Sequence, residues 1–372
     1  METKSKNSFT EDMTPAFSFG IPFIFVPLMI IAWIYGGWTI LAVPIFGYVI
    51  ITIFDFLIGT KMIVPKFKPD EDNKKYKIIL FAWPPIQLFL IFGSLVAIFS
   101  FEHLSFIEAT GLMFVQGLIT GAVGIVFAHE LMHQKTRFER FLSDLLMGMA
   151  IYGHFRTEHV LVHHRHVGTE KDAVTARFGE GFYKFFIRIV PQCFFSAWET
   201  EKEMLTKKER PFWDFLNPFY IYFGLSILFL VSSFFIGGIL GVLCFFIQAF
   251  IAVLHLEVVN YIEHYGLVRQ KLENGKFEPT KPHHSWNANH HASNLLLINL
   301  QKHSDHHARP NKTYESLQSY DENDAPQLPF GYPLMVLISL IPTLWRKVMD
   351  PKVIEWRNKF YPDLTDWGKS QA

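Results

Sequence analysis

The residues with the most evident chemistry lie near the C-terminus, in the segment LQKHSDHHA at residues 300–308. His303, His306, His307 and the carboxylate of Asp305 fall within five residues. At spacings of three and four, the three imidazoles share one face of a helix, so that their nitrogens can converge on a metal ion. Taken alone, the segment is explained as well by a surface metal tract or a chance cluster as by a built metal site.

A second segment, residues 129–133, has the pattern HExxH. His129 and His133 lie one helical turn apart on one face. On its own the pattern is the signature of zinc proteases, with Glu130 as the general base. A protease of that type needs only one further ligand, whereas this chain offers many more.

Two further boxes add histidines: EHxxxHH at residues 158–164 and NYxEHYG at residues 260–266. In the first box the spacing of four pairs His159 with His163, and His164 points in a neighbouring direction. A tetrahedral zinc site uses at most four ligands, so a larger set suits two ions with four or five ligands each. The nine candidate ligands are His129, His133, His159, His163, His164, His264, His303, His306 and His307.

Long uncharged runs must position these histidines. Half of the 372 residues are apolar, and 39 of them are phenylalanine. A helix needs about 20 apolar residues to cross a bilayer. Six such runs predict an all-α, polytopic membrane protein that forms one catalytic domain over residues 1–372. The predicted spans are 17–35, 38–54, 78–101, 109–128, 215–236 and 239–256, the last two separated by Gly237-Gly238.

The charge of the loops predicts the orientation. The loops at 61–77 and 135–210 are rich in Lys and Arg, whereas the short connections between the other spans contain none. By the positive-inside rule the basic loops face the cytoplasm, and six spans place both termini there as well. His129 ends the fourth span and His264 follows the sixth. We therefore expect a cytoplasmic, histidine-rich helical cap formed by the regions 129–214 and 257–372.

The residue types and their surroundings limit which metal the histidines can bind. Imidazole ligands accept zinc, copper, iron or nickel, so the ligand type leaves the metal open. A redox-inert ion has little reason to lie at the mouth of an apolar bundle, whereas two irons there can activate O₂ to attack an unreactive C–H bond.

The formal net charge of zero indicates no nucleic-acid partner. With only Cys193 and Cys244, the chain has no disulfide framework and no fused rubredoxin or ferredoxin. It also lacks a Rossmann or flavin motif, so its electrons must come from outside.

The four boxes in this order, together with KPHHSWN at residues 281–287, resemble the integral-membrane alkane 1-monooxygenases, a histidine-box di-iron family related to the membrane fatty-acid desaturases and hydroxylases. The similarity extends from about the third span to residues 350–353. NYxEHYG is the discriminating box, because desaturases and sterol hydroxylases share the other three in looser form. Glu170 and Val174 stand where prolines are usual, which leaves the conformation of the loop 169–180 open.

The resemblance implies terminal hydroxylation of medium- or long-chain n-alkanes to 1-alkanols with O₂ at a non-haem di-iron centre. It places the family's metal ligands on the nine histidines. It further implies electrons from rubredoxin, fed by an NAD(P)H-dependent rubredoxin reductase, and a multi-pass location in a bacterial-type inner membrane. Two alternatives stay open within the class: a fatty-acyl desaturase or hydroxylase, and an aromatic-methyl hydroxylase. A zinc metalloprotease built on His129 and His133 is the alternative from another class.

Other residues near the boxes receive supporting roles. Carboxylates are expected to accept N–H bonds from ligand rings, as is usual around metal-bound histidine. Small residues at helical spacing on the fourth span predict close helix packing, the wall of a substrate channel, or both. A glycine on the second span is a further channel candidate, expected to set the depth of the pocket. The carboxylates are Glu130, Glu158, Glu263 and Asp305, and the glycines are Gly47, Gly117, Gly121 and Gly124.

The remaining polar groups are assigned less closely. His154, His166 and His255 are expected to pack or to support the ligands, and the roles of His283, His284, His290 and His291 are left open. Basic residues on the cytoplasmic side offer a docking surface for an acidic electron carrier, although the positive-inside rule alone explains them as well. They are Lys135, Arg137, Arg140, Lys202, Lys207 and Lys208.

Overall fold

The computed structural model describes residues 15–63 and 73–364, and within these ranges the chain is helical apart from loops and isolated β-bridges. Lys66 and Lys68 of the first basic loop lie outside the described residues. The helices are α1 (Ala16–Tyr35), α2 (Gly37–Ile58), α3 (Asn73–Ser100), α4 (Phe106–Met132), α5 (Arg137–Met149), α6 (155–166), α7 (Phe182–Thr206), α8 (Phe219–His264), α9 (His291–Leu296), α10 (His303–Ala308), α11 (Tyr332–Ser339) and α12 (Pro342–Phe360).

Five helices of the described chain are long and apolar enough to cross a membrane: α1, α2, α3, α4 and α8. The fifth, α8, has 46 residues, about twice the length that a bilayer requires. It is interrupted where the sequence predicts a break, because Gly237 (φ −137°, ψ 18°) and Gly238 (φ 60°, ψ −146°) are not helical. The two parts of α8 lie against each other across this turn, with the ring centroids of Phe229 and Phe245 6.3 Å apart.

The acidic turn before α4 is a capping box. The Ser105 hydroxyl accepts the backbone N–H of Glu108, and the Glu108 carboxylate accepts the backbone N–H of Ser105. The same carboxylate accepts the N–H of Gly37 at 2.7 Å. Glu108 therefore starts α4 and also holds the turn between α1 and α2.

A polar network crosses the helix bundle. Trp83 Nε1 on α3 donates to Gln87 Oε1 at 3.0 Å, and Gln87 Nε2 donates to Thr120 Oγ1 on α4 at 2.8 Å. Thr120 Oγ1 contacts Gln248 Oε1 on α8 at 3.0 Å, and Gln248 Nε2 donates to the carbonyl of Met149 on α5 at 2.7 Å. Within a bilayer such side-chain bonds hold helices together where apolar packing is no better than packing against lipid. The network thus fixes α3, α4, α5 and α8 relative to one another.

The glycines of α4 lie in helix contacts. A Cβ added at Gly117 would be 2.6 Å from Ile251 Cβ and 2.7 Å from the carbonyl oxygen of Gln248, both on α8. At Gly121 it would be 2.7 Å from His255 Cβ, also on α8. At Gly124 it would be 2.9 Å from the Gln87 side chain on α3. Small residues at this spacing allow close approach of the helices, as the packing interpretation of the strip expects.

Replacing Gly117 with alanine is expected to destabilise the bundle by about 1–3 kcal/mol, because the new methyl group meets backbone that must move. Gly224→Ala is the matched control, because Gly224 also lies in a membrane-spanning helix but has nothing within 4 Å of its added Cβ. Apparent unfolding temperatures measured by intrinsic fluorescence at one scan rate compare the two variants. Equal temperatures for both would contradict the packing role.

Candidate metal centre

The ends of four helices meet and bring all nine predicted histidines together. They form two groups, and within each group the ligand nitrogens lie within 4.8 Å of one another. Most of the rings are buried, and His133 and His164 are partly buried. The five-histidine group is His129, His133, His159, His164 and His306, and the four-histidine group is His163, His264, His303 and His307.

In the five-histidine group the Nε2 atoms face one another. His159 Nε2 lies 3.1 Å from His133 Nε2 and 3.0 Å from His164 Nε2. His164 Nε2 lies 3.1 Å from His306 Nε2. His129 lies beside this row, with its ring centroid 4.5 Å from that of His306. Its own Nε2 is buried and has no hydrogen-bond partner in the described part of the chain.

The four-histidine group has the same arrangement. His163 Nε2 lies 3.2 Å from His307 Nε2, and His307 Nε2 lies 2.9 Å from His303 Nε2. His303 Nε2 in turn lies 3.1 Å from His264 Nε2. The Nε2 atoms of the two groups therefore converge on two neighbouring points.

The pairing predicted for the second box is wrong. The sequence pairs His159 with His163, but the structure places His159 and His164 in one group and His163 in the other. The reason is local: residues Glu158–His163 form a π-helical turn with i→i+5 hydrogen bonds, so residues five apart share a face. A spacing of four, which is right for an α-helix, does not apply to this turn.

The opening cluster also divides. His303 and His307, one turn apart on α10, belong to the four-histidine group, whereas His306 belongs to the five-histidine group. The three rings were expected to converge on one ion. Because successive residues of a helix point about 100° apart, the adjacent residues His306 and His307 reach different groups.

The donor set fits two metal ions. Nitrogens bound about 2.1 Å from one ion and at right angles to each other lie about 3 Å apart, the separation seen between these Nε2 atoms. Burial lowers the pKa of His133 to about 4, so its ring is neutral at pH 7 with a free lone pair. Burial, reinforced by neighbouring rings, likewise lowers the pKa of five more histidines well below the ordinary value: His159, His164, His303, His306 and His307.

Asp172 is a supporting residue that the sequence interpretation missed. Its Oδ2 lies 3.0 Å from His163 Nδ1, the nitrogen on the far side of the ring from the other histidines. Thr175 Oγ1 donates to the same oxygen at 2.7 Å, and the N–H of Val174 donates to Oδ1 at 3.1 Å. Such a carboxylate fixes the orientation and the tautomer of a metal-binding imidazole. One sequence feature could have indicated this role: Asp172 is a carboxylate only nine residues after His163, in the loop 169–180.

Glu263 lies on the opposite side of its histidine from the one expected. Its Oε2 is 3.3 Å from His303 Nε2, the nitrogen that faces the other rings, rather than beside an outer Nδ1. Tyr332 donates its hydroxyl hydrogen to Glu263 Oε1 at 3.0 Å. The sequence did not single out Tyr332, which begins α11 and reaches the centre only through the fold.

The other three carboxylates have separate surroundings. Glu130 Oε1 accepts Gln134 Nε2 at 2.7 Å. Burial, together with the nearby carboxylates, raises the pKa of Glu158 well above its ordinary value, and neither oxygen has a hydrogen-bond partner among the described residues. Asp305 accepts hydrogen bonds from the Lys312 ammonium, the Gln318 N–H and the Tyr320 hydroxyl. It therefore holds the loop after α10 rather than a histidine ring.

A third cluster, Glu278, His283 and His284, is held by hydrogen bonds. His284 Nδ1 accepts the backbone N–H of Lys281 at 2.9 Å, so in the neutral ring the hydrogen is on Nε2. That nitrogen lies 2.7 Å from the Tyr361 hydroxyl, which donates to Glu278. With its Nδ1 already accepting and its Nε2 protonated, His284 offers no lone pair to an ion.

An apolar cavity lies among the membrane helices next to the centre. Gly47 on α2 lines it. The α4 residues on its wall include Leu118, Ile119 and Ala122, whereas Gly117, Gly121 and Gly124 do not line it. These three glycines face α8 or α3 instead.

Two residues connect the cavity to the histidines. Val126 and Leu300 line the apolar cavity and also a small gap beside His129 and His306. Each lies three residues before a histidine of the centre, His129 and His303. The inner end of the cavity is thus set by the same helix ends that present the rings.

Comparison with known proteins agrees with this geometry. The model of the fatty acid desaturase family matches residues 105–339, which contain all nine histidines. The chain is 40% identical to alkane 1-monooxygenase 1 of Pseudomonas aeruginosa over 293 residues, 77% of this chain and 76% of that protein. The chain belongs to the alkane 1-monooxygenase family. Alkane 1-monooxygenase 2 of the same organism is 37% identical over 320 residues, 85% of this chain and 84% of that protein.

Membership in the alkane 1-monooxygenase family makes the chain a multi-pass membrane enzyme. A more distant relative, the xylene/toluene monooxygenase hydroxylase component of Pseudomonas putida, is 28% identical over 257 residues, 68% of this chain and 67% of that protein. The identity is therefore higher to the alkane 1-monooxygenases than to this aromatic-substrate relative. The two histidine groups are the family's histidine boxes assembled in space.

Replacing Asp172 with asparagine is expected to weaken metal retention by about 10- to 100-fold, because His163 loses the carboxylate that orients it. Glu170→Gln, an exposed change in the same loop, is the control. The metal left on each purified variant after graded chelator treatment, measured by elemental analysis, gives the comparison. Retention equal to the parent in Asp172→Asn would remove Asp172 from the support of the centre.

Proposed function

We propose that the protein hydroxylates the terminal carbon of medium- to long-chain n-alkanes, giving 1-alkanols, with O₂ at a non-haem di-iron centre. The observation that carries this proposal is an apolar cavity among the membrane helices that shares Val126 and Leu300 with a small gap beside His129 and His306, two of the nine converging histidines. An unbranched chain is the substrate that such a cavity suits. The family membership supports the same reaction.

The proposal includes an arrangement in the membrane. The break at Gly237-Gly238 supports two crossings by α8 and hence six spans in all, with the catalytic machinery in a single membrane-embedded domain. With the basic loops on the cytoplasmic side, both termini and the histidine centre face the cytoplasm. We infer the plasma membrane of a bacterial-type cell as the location.

Two irons suit the donor set. The five-histidine and four-histidine groups would each hold one of them, with Glu263 and Asp172 beside the second group. Bound irons supply the reductive activation of O₂, by which one oxygen atom is inserted into a C–H bond and the other leaves as water.

The protein's own residues position the substrate. The cavity lies among α1, α2, α4, α8 and α11 and is lined almost entirely by apolar side chains. A chain in it is surrounded by protein rather than water, and only its end reaches Val126 and Leu300. Terminal C–H bonds are stronger than internal ones, so end-on entry rather than bond strength gives the terminal product.

The electrons come from a separate protein in this proposal, namely rubredoxin reduced by an NAD(P)H-dependent rubredoxin reductase. Of the basic residues suggested for docking, Lys202 lies 3.2 Å from Glu199 and Lys207 lies 3.8 Å from Glu203. Their charges are partly offset within α7. Lys135, between α4 and α5, and Arg137 and Arg140, in the first turn of α5, lie closer in the chain to the centre and are the better candidates.

The alternatives fit less well. A zinc protease requires Glu130 beside water on a His129–His133 zinc, but these histidines belong to a five-histidine group and Glu130 is bonded to Gln134. An aromatic-methyl hydroxylase and a fatty-acyl desaturase would share the centre. They differ in the substrate that enters the cavity.

Iron-loaded protein, reconstituted with rubredoxin, its reductase and NADH, is expected to convert octane to octan-1-ol. His264→Ala should lose iron and product together, because His264 belongs to the four-histidine group. His103→Ala, an exposed histidine distant in sequence from the boxes, should match the parent. Iron is measured by elemental analysis and the products by gas chromatography. Products from xylene or an acyl ester, with none from octane or a longer alkane, would instead favour the alternatives.

Gly47→Trp is expected to shorten the preferred chain, because an indole at this position fills the cavity beside Phe25, whose ring lies 3.5 Å from an added Cβ. Gly224→Trp, with nothing within 4 Å of its added Cβ, adds the same bulk away from the cavity. Product ratios from a mixture of octane, dodecane and hexadecane report the preference. An unchanged ratio in Gly47→Trp would contradict the role of Gly47 in pocket depth.

A further inference from the structure

The apolar cavity contains two polar side chains that the hydroxylation of an alkane does not use. They are His255 on α8 and Tyr48 on α2, and their ring centroids are 6.2 Å apart. A third polar residue of the lining, Tyr332, already donates its hydroxyl hydrogen to Glu263. His255 and Tyr48 are called the polar pair below.

His255 is unusual for its place. It is only 6% exposed, lies within a membrane-spanning helix and belongs to neither histidine group. Its Nδ1 is buried without a hydrogen-bond partner among the described residues. A polar group left unpaired in an apolar setting destabilises the fold by about 1–3 kcal/mol. Ionisable residues inside membrane helices are rare and mark functional positions, which points to a ligand for this ring.

The surroundings make room for the ring. Gly121 on α4 faces His255 so closely that an added Cβ would be 2.7 Å from the His255 Cβ and 3.1 Å from its Cγ. Tyr48 lies on another π-helical turn, Ile45–Ile50. Such turns redirect side chains and occur at functional sites.

The polar pair is separated from the histidine centre by several helical turns. His255 precedes His264 by nine residues of continuous helix, which corresponds to about 13 Å along α8. On α2, Tyr48 lies seven residues, or about 10 Å, before Asp55. Asp55 accepts the backbone N–H of Ser293 in the histidine-rich cap. A medium-length alkyl chain spans this distance between the polar pair and the histidine centre.

We propose that His255 and Tyr48 bind the hydroxyl group of a medium-chain primary alcohol, so that the protein hydroxylates the far methyl end of 1-alkanols as well as alkanes. This rests on the proposed function. An alkane leaves His255 Nδ1 without a partner, whereas an alcohol hydroxyl can donate to the imidazole and accept from the Tyr48 phenol. A site with buried polar groups favours the ligand that satisfies them.

The reaction balances as it does for an alkane. One C–H bond of the methyl group breaks and a C–O bond forms with one atom of O₂, while the other atom leaves as water. The two electrons come from reduced rubredoxin and the two protons from the medium. The alcohol hydroxyl at the polar pair is not consumed, and the product is an α,ω-diol.

The test compares two substrates of equal length, decane and decan-1-ol, in the reconstituted enzyme. The measured quantity is the ratio of kcat/KM for decane-1,10-diol formation to that for decan-1-ol formation. His255→Leu is expected to lower this ratio roughly tenfold or more, since one buried hydrogen bond is lost. His255→Gln keeps a hydrogen-bonding group and should restore most of the ratio. Val259→Leu changes the cavity wall without removing a polar group and should leave the ratio near that of the parent.

A binding measurement separates this inference from the proposed function. Labelled decan-1-ol is equilibrated with the holoenzyme in nanodiscs, without electron donors, and binding to the parent and to His255→Leu is compared. One outcome is that decan-1-ol binds more weakly to His255→Leu while the parent enzyme hydroxylates no alkane. That outcome would support alcohol binding at the polar pair and overturn the proposed function. Alkane hydroxylation with a ratio and an affinity unchanged in His255→Leu would overturn the polar pair, and a buried water would then be its partner.

Discussion

Nine imidazoles share one buried space, and the rest of the structure depends on keeping them there. Their Nε2 atoms lie 2.9–3.2 Å apart, and packing so many polar groups together away from water is unfavourable unless a cation lies between them. The helices that present them must therefore be held by other interactions. The side-chain bonds from Gln87 through Thr120 to Gln248 and the close contacts of Gly117 and Gly121 meet that need within the bilayer, where the hydrophobic effect gives little force between helices.

The same framework forms the cavity. The face of α4 that carries glycines packs on α8, so its neighbouring face, with Leu118, Ile119 and Ala122, is free to line the apolar space. Helix packing and substrate access thus occupy adjacent faces of one helix. The inner end of the space is defined by Val126 and Leu300, each three residues from a histidine, so the position of the cavity cannot change without moving the rings.

The sequence was sufficient to predict which residues meet, because histidine boxes separated by apolar runs of known length must assemble at one end of a helical bundle. All nine histidines come together, and the break at Gly237-Gly238 is present. It was not sufficient to predict how they divide. The spacing of His159, His163 and His164 assumes an α-helix, and no residue type announces the π-helical turn. Asp172 and Tyr332 reach the centre through loops and docking helices, whose placement depends on tertiary contacts that spacing does not encode.

The division of the boxes has a mechanical consequence. His163 and His164 are neighbours on α6, and His306 and His307 are neighbours on α10, yet each pair is split between the two groups. One peptide unit in each helix therefore carries a ligand of both groups. Whatever immobilises one group also restricts the backbone that presents the other, and the entropy lost on ordering is shared between them. We therefore expect occupancy of the two groups to be cooperative, with the first ion ordering the site of the second.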